Sequence, residues 1–349
     1  MPRRGRGDAR RAGHAGCRTR SPRWGGRRMS IAPVTLPGVA DTRVGSVGLG
    51  AMGSPIAHNF SNAIPGLRVF DANAAAVDRF VAENPSAVRA NGLADLAGCD
   101  VVVLSLPTSD IVDAVVLGDE GLLALLRPGS VVVDMGSSVP ARTQRLAELA
   151  AQRGIALVDA PVSGGVARAR EADLAVMVGG DAHAVERVRP LLEATAREVI
   201  VVGPAGSGHA AKALNNLLAA SGLVAAAEAM LVGAEFGIDQ ATLLAVINAG
   251  SGRNNTTETK YEKFVLSRSF ASGFTAQLMR KDVGIALDLA REQGMTIGLG
   301  EELGRIWNEA TEALDPGADQ TEVVRYLEGA LGAVRPVGED TPGPKSPRE

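Results

Sequence analysis

The chain has 349 residues, 46% of them apolar and 21% charged, and a formal net charge of −3. These are the proportions of a globular protein with room for two domains, and they exclude a wholly disordered or fibrous chain. Two cysteines (Cys17 and Cys99) and four scattered histidines exclude a disulfide framework and lack ligand spacing, so no metal is expected.

The first 28 residues hold ten arginines against one acid, Asp8, a local charge of +9 that leaves about −12 for the remainder. An acidic body without a basic stripe argues against nucleic acid as the partner of the folded part. Residues 1–42, rich in Arg, Gly, Ala and Pro, cannot bury enough apolar surface to fold and are expected to be a disordered basic tail. A nucleic-acid or targeting arm competes with a plainer reading, since the tail lacks both an apolar helical face and an export-type apolar core. On the plainer reading Met29 is the true start. No apolar run of the roughly 18 residues that cross a bilayer is expected, so a cytoplasmic protein with no membrane partner is anticipated.

The first ordered stretch, Val44 to Asn59, reads as a strand joined to a helix through Gly48, Gly50 and Gly53. In G-x-G-x-x-G, the first glycine makes the tight turn, the second lets a pyrophosphate approach the backbone, and the third lets helix and strand pack closely. Leu49, Ala51 and Met52 complete the loop, and the N–H groups of the helix opening near Ala51 face the phosphates. A second apolar run, Leu67 to Phe70, ends at Asp71, 23 residues beyond Gly48. A carboxylate there would hold the adenosine ribose and repel a 2′-phosphate, so NAD is expected and NADP disfavoured; the alternative is that Asp71 only caps a helix.

Helix Ala72–Glu83, strand Val101–Leu106, strand Val131–Asp134 and helix Ala141–Ala151 follow, their continuous apolar runs suiting parallel strands covered on both faces. Loops at the carboxyl ends of such strands face the ligand, which places Leu106, Pro107 and Ser137 near the nicotinamide half of the cofactor. Ser137 and Ser138 read equally well as helix caps. Strand Ala156–Val158 runs into Asp159–Gly165, DAPVSGG, whose Ser163, Gly164 and Gly165 form either a carboxylate cradle or a plain turn. Strands Ala175–Val178 and Val199–Val202, with helix Ala182–Ala194 between them, complete the sheet.

From Gly208 to Phe236 one helix roughly 40 Å long is expected, apolar almost all round and therefore buried between domains. Beyond it only helices are predicted: Gln240–Ala249, Glu258–Leu266, Thr275–Gln293, Leu299–Ala313 and Thr321–Val334. The fold expected is α/β: a Rossmann-type doubly wound domain (43–204), then an all-helical domain (205–335) that starts with the long helix, then a disordered end (336–349). Lys212 and Asn216 share one face of the long helix. A partly desolvated lysine shifts its pKa readily and can exchange a proton with an oxygen whose carbon exchanges hydride, although a lysine there can also snorkel to water.

The stretches GLGAMG (48–53), DAPVSGG (159–165), GHAAKALNN (208–216) and MRKD (279–282), in this order, resemble the β-hydroxyacid dehydrogenases. The resemblance implies NAD-dependent, reversible oxidation of a small 3-hydroxy acid such as 3-hydroxyisobutyrate, with Lys212 as acid/base assisted by Asn216. It implies a substrate carboxylate held by Ser163, Gly164 and Gly165, Lys281 closing over the cofactor with Asp282 beside it, and a homodimer or homotetramer. Related alternatives are a tartronate semialdehyde reductase or an imine reductase, although the latter typically lack the lysine. A 6-phosphogluconate dehydrogenase would need a basic cluster, and only Arg253, Lys260 and Lys263 are at hand. A non-catalytic dinucleotide-binding or nucleic-acid-associated homologue is the alternative of another class. Arg253 could pair with a second polar or acidic group of the substrate or cap a helix; His209 reads as structural, and Asn254 and Asn255 are unassigned.

Overall fold

The computed structural model describes residues 42–333; the basic tail, the Met29 start and the 336–349 end lie outside the described residues. β1 (Val44–Val47) turns into α1 (Gly53–Ala63), followed by β2 (Arg68–Phe70), α2 (Ala74–Glu83) and a short β3 (Val88–Arg89). A 3-10 turn at Leu93–Leu96 leads to β4 (Val101–Leu104), α3 (Ser109–Leu117), α4 (Leu122–Leu125), β5 (Val131–Asp134), α5 (Pro140–Ala151) and β6 (Ala156–Asp159). These strands pair in parallel in the order β3-β2-β1-β4-β5-β6.

Why the runs are apolar at every position is visible in the packing. Val101, Val103, Val131 and Val133 join Ile56, Phe60 and Phe80 on one face. Val102, Leu104 and Val132 join Val112, Val116 and Leu146 on the other. With period-2 side chains and both faces covered, β4 has no polar position and β5 has one only at its end, Asp134. Because the chain leaves β1 toward β2 and returns to β4, the loops after β1 and β4 diverge and open a crevice at their carboxyl ends.

The second part of the sheet departs from the expected parallel run. β7 (Val162–Ser163), α6 (Gly165–Arg170), β8 (Leu174–Gly179), α7 (Ala182–Glu193) and β9 (Ala196–Gly203) follow, and β8 runs antiparallel to β6 and β7 but parallel to β9.

The long helix, α8 (Ser207–Phe236), ends at Gly237, whose φ of +95° is the left-handed cap that glycine adopts freely. α9 (Gln240–Ala249), α10 (Asn255–Thr259), α11 (Ala276–Glu292), α12 (Gly298–Ala313) and α13 (Val323–Ala330) complete the helical part, with a 3-10 turn at Gln320–Glu322. The single helix expected over 258–266 is instead α10 followed by a six-residue π-helix, Tyr261–Leu266. Asn254 finds its role as the N-cap of α10, in a capping box with Thr257. Leu223, Ala227, Met230 and Leu231 of α8 pack with Tyr261, Trp307 and Val324 in a second core.

Two expectations about α8 need correction. Its apolar window, with a mean hydropathy of 1.8, is long and apolar enough to cross a bilayer by length and composition, and half of that window is buried in the protein. Nor is it buried all round: Leu218 (74%), Val232 (69%) and Phe236 (84%) are exposed.

Candidate active site

The three glycines of the β1–α1 turn divide their work as their environments require. At Gly48, where φ is +95°, a Cβ would overlap the carbonyl oxygen of Ser105, and at Gly53 it would overlap that of Gly48. Gly50 has open space where a Cβ would stand, so its bare backbone faces the crevice. No side chain caps the start of α1, so the positive end of its dipole is open to an anion. The cradle fits a dinucleotide: it is open at the glycine that a pyrophosphate must approach and tight at the two that shape the turn.

Asp71, at the end of β2, accepts hydrogen bonds from the N–H groups of Leu49 (2.7 Å) and Asn73 (2.8 Å). It therefore ties the glycine loop to the end of β2, and Asp71 and Gly50 both line each of the two grooves that meet there. The helix-capping alternative falls to Asn73, whose side chain caps α2. Arg79 and Arg170 line the groove on the outer side of Asp71. An Asp71→Ser variant is expected to bind NADH about 10-fold more weakly and to accept NADPH more readily, as fluorescence titration of both would read.

A cleft of about 550 Å³ extends from the glycine loop to the helical part. Gly50, Ala51, Met52, Leu106, Pro107, Ser137, Gly164, Gly165, Lys212, Lys281 and Asp282 line it. Ser163 and Asn216 were expected in this lining and are absent from it. Val162 and Ser163 form β7, and Ser163 pairs with Ala175. Ser138 neither caps α5 nor faces the cleft: its hydroxyl donates to Asp134 at 2.7 Å, and Val139 is the N-cap.

Lys212 is placed by the start of α8. The buried Asp159 carboxylate accepts from the N–H groups of Gly206 (2.7 Å) and His209 (2.9 Å), so a negative charge sits at the positive end of the helix. Gly208 lets the helix approach, since a Cβ there would overlap the carbonyl oxygen of Met177. The His209 ring, fully buried, has Nδ1 2.8 Å from the Thr143 hydroxyl and Nε2 3.6 Å from Asp134. Its place is in this clamp and outside the cleft lining.

Two turns along, Asn216 donates to the buried Asp282 at 2.5 Å, joining α8 to α11. Lys281 Nζ reaches across to the carbonyl oxygens of Ser137 (2.7 Å) and Pro107 (3.3 Å) and lies 3.3 Å from Asp282. Between these anchors the packed surroundings of Lys212 push its pKa down; Asp282 opposes this, and the charges of Lys281 and Lys260 reinforce it. The lysine ammonium has no hydrogen-bonded or ion-pair partner among the described residues. An amine of lowered pKa, facing a crevice beside a glycine cradle, can give up its proton more readily than an ordinary lysine and take it back again.

Arg253 is exposed in the loop before α10 and away from the cleft lining. Among the described residues, no group of three His, Cys, Asp or Glu side chains is placed to hold a metal ion.

Residues 43–203 match the family model for the NAD binding domain of 6-phosphogluconate dehydrogenase, and 206–327 that for the NAD-binding of NADP-dependent 3-hydroxyisobutyrate dehydrogenase. The chain is 35% identical to the 2-(hydroxymethyl)glutarate dehydrogenase of Eubacterium barkeri, over 83% of this chain and 96% of that protein. It is 39% identical to the NAD-dependent L-serine dehydrogenase of Pseudomonas aeruginosa, over 74% and 88%. The solved structure of the Mycobacterium tuberculosis 3-hydroxyisobutyrate dehydrogenase matches with a TM-score of 0.75 and 31% identity, over 82% of this chain and 99% of that one. With the cofactor cradle, the lysine on α8 and relatives of this identity over most of their length, the chain belongs to the β-hydroxyacid dehydrogenase family.

Proposed function

We propose that the protein reversibly oxidises the alcohol of a small 3-hydroxy acid to the semialdehyde or ketone, using NAD, with Lys212 as the general acid/base. The observation that carries this reading is the unpartnered Lys212, its pKa lowered, in the same cleft as the Gly50 cradle. Bound NAD supplies the acceptor for the hydride. Glycines 48, 50 and 53 and Asp71 hold the cofactor, and Leu106, Pro107 and Ser137 flank its nicotinamide half. The Ser163–Gly165 segment holds the substrate carboxylate, chiefly through backbone N–H groups at Gly164 and Gly165. Lys212 Nζ takes the hydroxyl proton in oxidation and returns it in reduction. Asn216 is a positioning residue that acts by holding Asp282, and Lys281 closes the cleft by bonding the loops after β4 and β5.

Among the substrates for which the relatives are named, 3-hydroxyisobutyrate and L-serine carry one carboxylate and 2-(hydroxymethyl)glutarate carries two. NAD reduction followed at alkaline pH over these three, glycerate, threonate and 6-phosphogluconate tests the reading. Turnover of one or more non-phosphorylated acids is expected, and silence across the panel in a protein that binds NADH would overturn it.

We also propose that the enzyme is a homo-oligomer. The exposed Leu218, Val232 and Phe236 on α8, with Leu299 on α12, leave apolar surface that a second copy would cover. Light scattering on the eluting protein should give a dimer or tetramer mass. A cytoplasmic location accords with Cys99, which is free and buried.

A further inference from the structure

The His209 ring is a buried, titratable group that the proposed reaction does not use. It stands one turn before Lys212 on α8, fully enclosed between Thr143 of α5, Asp134 of β5 and Asp159 of β6.

Two neighbours decide where its hydrogens stand. The Thr143 hydroxyl lies 2.8 Å from Nδ1 and 3.2 Å from the carbonyl oxygen of Val139, so its one hydrogen serves one of them. Asp134 Oδ2 lies 3.6 Å from Nε2, which has no hydrogen-bond partner among the described residues. At that distance the contact is electrostatic and no full hydrogen bond. A carboxylate offers only lone pairs. A bare Nε2 would set its own lone pair against a buried acid, whereas a hydrogen on Nε2 makes the same approach attractive, whichever way the Thr143 hydroxyl turns.

Asp134 also shapes one wall of the cleft. Its oxygens accept from the N–H of Gly136 (2.8 Å) and the hydroxyl of Ser138 (2.7 Å), the residues on either side of Ser137. Met135, Gly136 and Ser137 line the cleft, and the Ser137 carbonyl accepts from Lys281 (2.7 Å). On the helix side, the N–H of His209 donates to Asp159 (2.9 Å), and Lys212 follows three residues later. The ring therefore spans from the acid that shapes the 135–137 loop to the helix that carries the reactive amine.

We infer that His209 carries a hydrogen on Nε2, directed at Asp134, and is a positioning residue: through that contact it sets Lys212 against the 135–137 loop that flanks the nicotinamide. This rests on the oxidoreductase reading given above. It gives a consequence for turnover to a ring that the sequence reads only as structural.

The test uses the full chain as wild type, His209→Leu and His209→Gln. In protein made with isotope-labelled histidine, the ring signals missing from His209→Gln belong to His209, and wild type at neutral pH should show a proton bonded to Nε2. A bare Nε2 would overturn the inference. His209→Leu should lower kcat by about 10-fold or more, the scale on which a misplaced catalytic group acts, with KM and NADH affinity little changed. Its kcat/KM profile should inflect at higher pH, toward the ordinary lysine value of 10.5, as Lys212 leaves its packed surroundings. His209→Gln, whose amide can donate to Asp134, should restore most of kcat and the wild-type inflection. Unchanged kcat in His209→Leu, a loss that His209→Gln does not restore, or an unmoved inflection would each overturn the inference. If His209→Leu does not fold, Asp134→Asn takes its place. There the Gly136 N–H retains the amide oxygen, the amino group turns toward Nε2, and the same loss and shift are expected. If no hydroxy acid is turned over, the oxidoreductase reading fails on its own. The Nε2 hydrogen is still read by NMR, and the placement of Lys212 by titrating its isotope-labelled side chain in the NADH complex. A higher titration in His209→Leu than in wild type supports the inference, and equal titration removes it.

Discussion

Lys212→Ala is expected to lower turnover by about 100-fold or more, the usual contribution of a general acid/base, while NADH still binds with near wild-type affinity. The cofactor contacts belong to the glycine turn and Asp71, whereas Lys212 lies on a different element across the cleft, so the two functions should separate. The pH profile supplies a second reading of the same group. Oxidation needs the free amine, so kcat/KM for the hydroxy acid should rise with pH and level off above a pKa that burial holds below the ordinary 10.5. Reduction needs the ammonium and should fall over the same interval. Asp282 is the charge that raises this pKa, so Asp282→Asn should move the inflection to lower pH. Unchanged turnover in Lys212→Ala, or a profile that does not respond to Asp282→Asn, would remove Lys212 from its assigned role.

Gly53→Ala should fail for a wholly different reason. The added Cβ would overlap the carbonyl of Gly48 and stand 3.1 Å from the Ser105 side chain. Backbone cannot yield as a flexible side chain can. Forcing α1 off β1 is expected to cost about 3 kcal/mol and to lower the melting temperature by about 10 °C, with loss of NADH binding. Gly50→Ala is the matched control, because open space surrounds the position. It should melt like wild type yet bind NADH at least about 10-fold more weakly, since its methyl group obstructs the pyrophosphate. If Gly53→Ala melts like wild type, the close-packing account of the third glycine is wrong.

These contrasts show which features were legible in the sequence. The glycine turn, the strands after it and Asp71 could be read because each is dictated by local backbone geometry or by burial on both faces. The direction of β8 could not, since Leu174–Gly179 is equally apolar in either orientation and its partners are set by the chain's path. α3 escaped for a related reason: after Pro107, the stretch Ser109–Leu117 has no long amphipathic repeat, although Thr108 caps it. Asn216 was identified, but its partner Asp282 lies 66 residues away. The buried acids Asp134 and Asp159 looked like ordinary strand ends, yet they hold the start of α8. Ser163 was grouped with its two glycines as a cradle, whereas in β7 it is the neighbouring Val162 that lines the cleft.

The clamp at His209 and the bond at Asn216 sit seven residues apart, nearly two full turns of one helix, with Lys212 between them. One end is fastened to β6 through Asp159 and to α5 through Thr143, the other to α11 through Asp282. Each residue of an α-helix advances about 100° around the axis. A single insertion between these two fastenings would therefore swing one of them to another side of the helix, whereas an insertion beyond Gly237 would leave both in phase. The seven-residue interval works as a gauge of length: between positions 209 and 216, Lys212 apart, the enzyme should tolerate substitution far better than any change in residue count.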